Sequence, residues 1–195
     1  MAVSTSRKAL THDRIVEVAA RAIRRAGCDG VGVADIMKEA GLTHGGFYAH
    51  FASRDAMLVE AMQRAGRDSA SVLAERLRQG QTEGVSPFTT LVRTYLHDAQ
   101  IDNAEHGCAV AALASEMPRL SDEVADAARA RVLALVELVR RNLPAGVDPA
   151  QAQVVVATMV GTLQLARTLG GKAGKAWLAN ARNALINRYD SPQTG

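Results

Sequence analysis

The stretch AGLTHGGFYAHF, residues 40–51, decides the fold. Gly41, Leu42 and Thr43 make a tight turn, because glycine supplies the backbone freedom and threonine a capping oxygen. Upstream, a short helix over 33–40 carries Ile36 and Met37 inward and starts from Gly32. Downstream, a second short helix covers 44–49. Two short helices joined by a glycine-containing turn form a helix-turn-helix, in which the second helix enters the major groove of duplex DNA.

Each residue type in that second helix has a physical use. Thr43 caps it and offers a hydroxyl to a phosphate, at a helix end that already attracts anions. His44 stands at the first exposed position, within reach of a base edge. Gly45 and Gly46 let the backbone approach DNA closely, at some cost in helix stability. Tyr48 and His50 present a hydroxyl and an imidazole to the backbone, and Arg54 adds a cation at the start of the next helix. Phe47 and Phe51 hold the three helices together. Tyr48 has a competing reading as a core residue.

This pattern resembles the TetR family of regulators. That family's signature runs Gly, aliphatic, Ser or Thr, any, Gly, any, aliphatic or aromatic, Tyr, any, His, Phe, then a nearby Lys or Arg. The matching residues are Gly41, Leu42, Thr43, Gly45, Phe47, Tyr48, His50, Phe51 and Arg54, with Val33, Ile36 and Ala40 upstream. Gly32 departs from the family's usual Ser or Thr, and Gly46 from its usual small side chain. Both losses bear on sequence specificity more than on binding.

The remaining chain extends the helical pattern. Thr11 is the expected cap of a first helix with Ile15, Val18, Ala19, Ala22 and Ile23 on one stripe, ended by Gly27 and Gly30. Ser53 caps a long helix over 53–79 with Leu58, Met62, Ala65, Ser69, Val72 and Leu77 along one side. Ser86-Pro87 and Asp148-Pro149 are capping starts of later helices, and Ser121 caps a third. A short helix covers 108–115. The helix after Pro149 has no clear polar face and is expected to be buried all round. Gly170, Gly171 and Gly174 form a loop before a last helix with Trp177, Leu178 and Leu185. The expected fold is all-α with about nine helices. Residues 1–54 form a three-helix DNA-binding domain, and 55–195 a helical ligand-binding and dimerisation domain.

Composition agrees. The chain has 195 residues, 48% hydrophobic and only 4% aromatic, a balance that favours helix over strand. Its net charge of +3 lies entirely within residues 1–54, since the remainder holds 15 cations and 15 anions. A basic excess confined to the reading end suits a polyanionic partner. Two cysteines without a CxxC suggest neither a disulfide framework nor zinc. The five histidines form no HExxH, no GxSxG occurs, and no phosphate loop follows a strand. No enzyme, cofactor or metal site is therefore expected. The apolar run 154–166 is too short to cross a membrane, and the expected location is the cytoplasm.

The resemblance implies a homodimer that binds a near-palindromic operator and releases it when a small molecule enters the C-terminal domain. The alternative is an all-α small-molecule binder or enzyme that kept the fold without DNA control. Helices near 88–99, 108–115 and 124–139 are the expected pocket walls, with Phe88, Tyr95, Cys108 and Met117 as ligand or sensing residues. Few inward charges there point to an apolar or aromatic effector. Cys108 follows a glycine at a helix start, where a thiol can be activated, so it is a candidate sensor of oxidants or electrophiles. Its competing reading is a small buried hydrophobe. Cys28 is expected to be structural.

Overall fold

A computed structural model describes residues 6–190 of the chain. Among the described residues every regular element is helical, with eight α-helices and four short 3₁₀ segments. Counting the 3₁₀ segment that follows the Gly41 turn, nine helices carry the architecture.

The head is built from α1 (Arg7–Ala26), α2 (Val33–Glu39) and the 3₁₀ segment His44–Ala49, called the reading turn below. All five residues expected on the α1 stripe are buried. The helix starts one turn earlier than expected. Ser6 Oγ accepts from the Ala9 amide at 3.2 Å, whereas Thr11 lies inside the helix and donates its hydroxyl to the Arg7 carbonyl at 2.9 Å. A threonine can make that local bond anywhere in a helix, so the residue type did not fix the end. Gly41 has φ +71°, which lets the chain reverse after α2, and the Leu42 amide returns to the Met37 carbonyl at 2.9 Å.

Helix α3 (Arg54–Thr82) begins where Ser53 Oγ accepts from the Ala56 amide at 3.0 Å. Its N-terminal half buries Met57, Leu58, Ala61, Met62 and Ala65 against the head. Further along, Leu73 takes the inner position and Val72, expected there, is exposed. Over 29 residues the 3.6-residue period drifts against any fixed stripe, so the buried side moves by one position between one core and the next.

The body follows as α4 (Pro87–Tyr95), α5 (Ala109–Leu113), α6 (Asp122–Arg141), α7 (Gln151–Leu169) and α8 (Gly171–Tyr189). The Ser86-Pro87 start holds, with Ser86 Oγ accepting from the Thr89 amide at 3.1 Å. Helix α7 starts two residues later than its Asp148-Pro149 signal, after Ala150. Only Gly170 breaks the chain between α7 and α8; Gly171 and Gly174 are helical. Gly174 is buried against the Ala166 carbonyl, so a Cβ there would collide with α7 backbone. Close helix contact, not a loop, requires that glycine. Within one chain α7 is not buried all round: Val154, Ala157, Leu165 and Leu169 are exposed on one stripe.

Two buried clusters result. One joins α1, α2, the reading turn and the start of α3 to Val110, Leu113, Met117, Val124 and Ala128 of the body. The other joins Leu73 and α4 to α7 and α8. The first cluster crosses residue 54, so head and body share a core. No helix among the described residues is long and apolar enough to cross a membrane. Met62 is fully buried in the shared core. Met62→Ala should lower stability by about 2–5 kcal/mol, read as a shift of the urea midpoint with an unchanged slope.

Candidate functional site

The reading turn is a 3₁₀ helix because two adjacent glycines weaken it and only six residues are available. Its amide bonds are short-range, from Gly46 to the Thr43 carbonyl at 3.1 Å and from His50 to the Phe47 carbonyl at 2.9 Å. With three residues per turn, Gly45 and Tyr48 stand on one side, and Phe47 and His50 on another. Phe47 is buried, and its ring stacks on Phe51 at 5.4 Å. Phe51 in turn stacks on His12 of α1 at 4.5 Å. The His12 ring donates to Glu60 of α3 at 2.7 Å. One aromatic stack thus fixes the reading turn to both long helices of the head.

That anchorage leaves the other side open. Tyr48 is 72% exposed, so it is not a core tyrosine. Thr43, His44 and Gly45 are exposed, and Thr43 holds the cap position without a side-chain capping bond. Nothing lies within 4 Å of a Cβ added at Gly45. Gly46 is half-buried over Met37. His50 is half-buried, and its Nδ1 has no hydrogen-bond partner. Arg54 does not extend outward. Its guanidinium donates to the Cys28 and Val31 carbonyls and clamps the α1–α2 loop onto α3. Cys28 is buried there, and burial first, then the Glu116 carboxylate, push its thiol up to about 11. A cation less regarded in the sequence is Arg14, whose guanidinium lies 3.4 Å from a Cβ added at Gly41 of the turn.

The second feature is a cavity of about 160 Å³ in the body. Gly66, Ser69 and Leu73 of α3, Tyr95 of α4, Arg131 and Leu135 of α6, and Cys108 line it. Two of the four expected ligand residues, Tyr95 and Cys108, are therefore together. The other two lie elsewhere. Phe88 packs its ring edge on Tyr189 at 5.8 Å, and Met117 is buried in the shared core. Helical spacing put Phe88 inward but did not show which neighbours it meets.

Arg24 connects the two features. It is 4% exposed and donates to the Gly107 carbonyl at 3.3 Å and the Ala65 carbonyl at 3.5 Å. Ser69 donates to the same Gly107 carbonyl at 3.2 Å. Next to it, Arg25 pairs with Glu105 at 3.0 Å and Glu39 at 2.9 Å. The Cys28 amide donates to Glu116 at 2.8 Å. The C-terminal end of α1 is thus bound to the segment that forms the cavity rim.

A helix-turn-helix head is fixed on a helical body. Residues 15–61, the stretch that holds the helix-turn-helix, match the family described as bacterial regulatory proteins, tetR family. No curated protein sequence matches the chain. Solved structures share its fold at low identity. The reduced form of Escherichia coli NemR matches with 21% identity and TM-score 0.79 over 94% of this chain and 99% of that one. A TetR-family regulator from Agrobacterium tumefaciens matches with 23% identity and TM-score 0.73, over 94% and 100%. One from Legionella pneumophila matches with 20% identity and TM-score 0.75, over 97% and 100%.

His50 offers a direct check of the head's packing. Burial first, then the charges of His12 and Lys8, lower its pKa. Its ring resonances should therefore titrate below the ordinary value of about 6.5. The folded state disfavours the extra proton, so this contribution to stability is present above that value and lost as pH falls through the lowered pKa. Titration of His50 above the ordinary value would contradict the packing.

Proposed function

We propose that the chain is a repressor that works as a homodimer, binds a near-palindromic operator and leaves it when a small molecule with an apolar or aromatic body fills the 160 Å³ cavity. Residues 1–54 are the reading head, and 55–195 the effector-binding and dimerisation domain. The observation that carries the proposal is the Gly107 carbonyl, held by Arg24 of the head and Ser69 of α3, one residue from Cys108 in the cavity wall. A ligand that moves this wall moves acceptors that a buried head cation needs. It can shift the balance between conformers only by its difference in affinity for them.

Thr43, His44, Gly45, Gly46, Tyr48 and His50 form the DNA contact in this proposal. Their exposure supports it for all but half-buried Gly46 and His50. Arg54 supports the contact from within, through the loop it clamps. Cys108 is the thiol an electrophilic effector would meet in the cavity. The second copy would cover the exposed α7 stripe. A Cβ added at Gly161 in that stripe meets nothing within 4 Å, which leaves room for a partner helix. Trp177 of α8, 47% exposed, extends the apolar surface. Two heads on a two-fold axis would meet half-sites roughly one turn, about 34–36 Å, apart.

Binding of the purified protein to its own upstream DNA across a salt series tests the head. Tyr48→Phe should weaken specific binding about tenfold by removing one hydrogen bond to phosphate, with the salt slope unchanged because no charge is lost. Arg54→Ala should also weaken binding at an unchanged slope, with a lower melting temperature. Sequence-blind binding that neither substitution alters would instead favour a ligand binder without DNA control.

Sedimentation velocity tests the dimer. Leu165→Glu places a carboxylate in the α7 stripe and should give a folded monomer at micromolar concentration. A variant that remains dimeric would move the interface elsewhere.

A further inference from the structure

The cavity is more cationic than its apolar lining suggests. Arg131 lines it, and its Nε is buried with no hydrogen-bond partner. Tyr95, only 9% exposed, also lines it, and its hydroxyl has no partner. No aspartate or glutamate is among the lining residues. Behind Gly107 of the wall lies Arg167, whose Nη2 is buried and unpartnered and would sit 2.7 Å from a Cβ added at Gly107. Burial lowers the pKa of Arg167 and raises that of Tyr95, so the tyrosine remains an O–H donor.

Buried donors without acceptors are costly, and those that belong to a charged group more so. An anionic group that accepted from Arg131 and Tyr95 would remove both penalties at once. Size limits the rest of the molecule. A cavity of about 160 Å³ is close to the roughly 150 Å³ that accommodates one benzene ring. Leu73, Leu135 and Leu163 supply apolar walls for such a ring.

We propose that the effector is a small aromatic carboxylate, its ring against the leucines and its carboxylate accepting from Arg131 and the Tyr95 hydroxyl. The proposal rests on the effector-controlled function above; few charges face the cavity, and the one cation among its lining residues, Arg131, decides the ligand's charge.

Isothermal titration of the full-length protein with benzoate and with benzamide, its uncharged isostere, tests the site. Benzoate should bind about tenfold or more tightly than benzamide, as for hydrogen bonds to a charged acceptor. Tyr95→Phe should reduce benzoate affinity about tenfold and leave benzamide within about twofold. Arg131→Met should abolish the preference, and Arg131→Lys should restore part of it. Equal affinities, a preference for benzamide, or no heat from either compound at millimolar concentration would overturn the proposal. The same preparations bound to upstream DNA without ligand separate the two ideas. Specific DNA binding without benzoate preference refutes the anion site alone. Benzoate preference without DNA binding refutes the regulator reading and leaves the site standing.

Discussion

The structure depends on one buried cation. Arg24 gives up water almost completely, and burial lowers its pKa despite the opposing pull of Asp68. Its only carboxylate within salt-bridge range is Asp68 at 3.7 Å, which also pairs with Arg64 at 2.7 Å. Two backbone carbonyls, Ala65 and Gly107, accept from its Nη1, and its buried Nε has no partner among the described residues. Burying a guanidinium costs several kcal/mol unless its donors are met. The contact is therefore better understood as a positional constraint than as a source of stability. Helix α1, the middle of α3 and the loop before Cys108 must stay in register, or a charge is left unsolvated.

That register explains how a reading head and a cavity can influence each other without a hinge between them. Helix α3 serves the shared core with its first half and the second core with Leu73. The changeover falls at residues 65–73. Ala65 and Ser69 there contact the Arg24–Gly107 junction, while Gly66, Ser69 and Leu73 line the cavity. About two and a half turns of helix thus carry both the clamp and the cavity wall. Close-packed cores shift between discrete arrangements more readily than they deform continuously. On the proposed reading, a ligand in the cavity would act on the same helical segment that contacts the head.

The sequence disclosed what local chemistry controls. Gly41 adopts the positive φ that the turn needs, and Ser53 and Ser86 cap the helices they precede. The stripe of α1 is buried as its period requires. What escaped depends on partners far along the chain. Arg24 and Arg25 look like a solvated pair at a helix end, and only folding brings Gly107 to one and Glu105 to the other. Arg54 has a side chain long enough to turn outward or back, and the Cys28 and Val31 carbonyls decide the direction. Arg131 was legible in principle, since it falls in register with Val124, Ala128, Leu135 and Leu138. A charge on an apolar stripe marks a buried function as clearly as any motif.

The same electrostatic logic operates at both ends of the molecule, with opposite solvent conditions. At the head, Arg14 beside the turn and the open backbone around Gly45 face water, where charge contacts are screened and contribute mainly orientation and salt dependence. At the cavity, the Nε of Arg131 and, behind Gly107, the Nη2 of Arg167 are shielded from water, where an unpaired donor matters far more. On the proposed reading, a single small anion at these buried donors would compete with a larger number of wet phosphate contacts, through the difference in solvation more than the number of contacts.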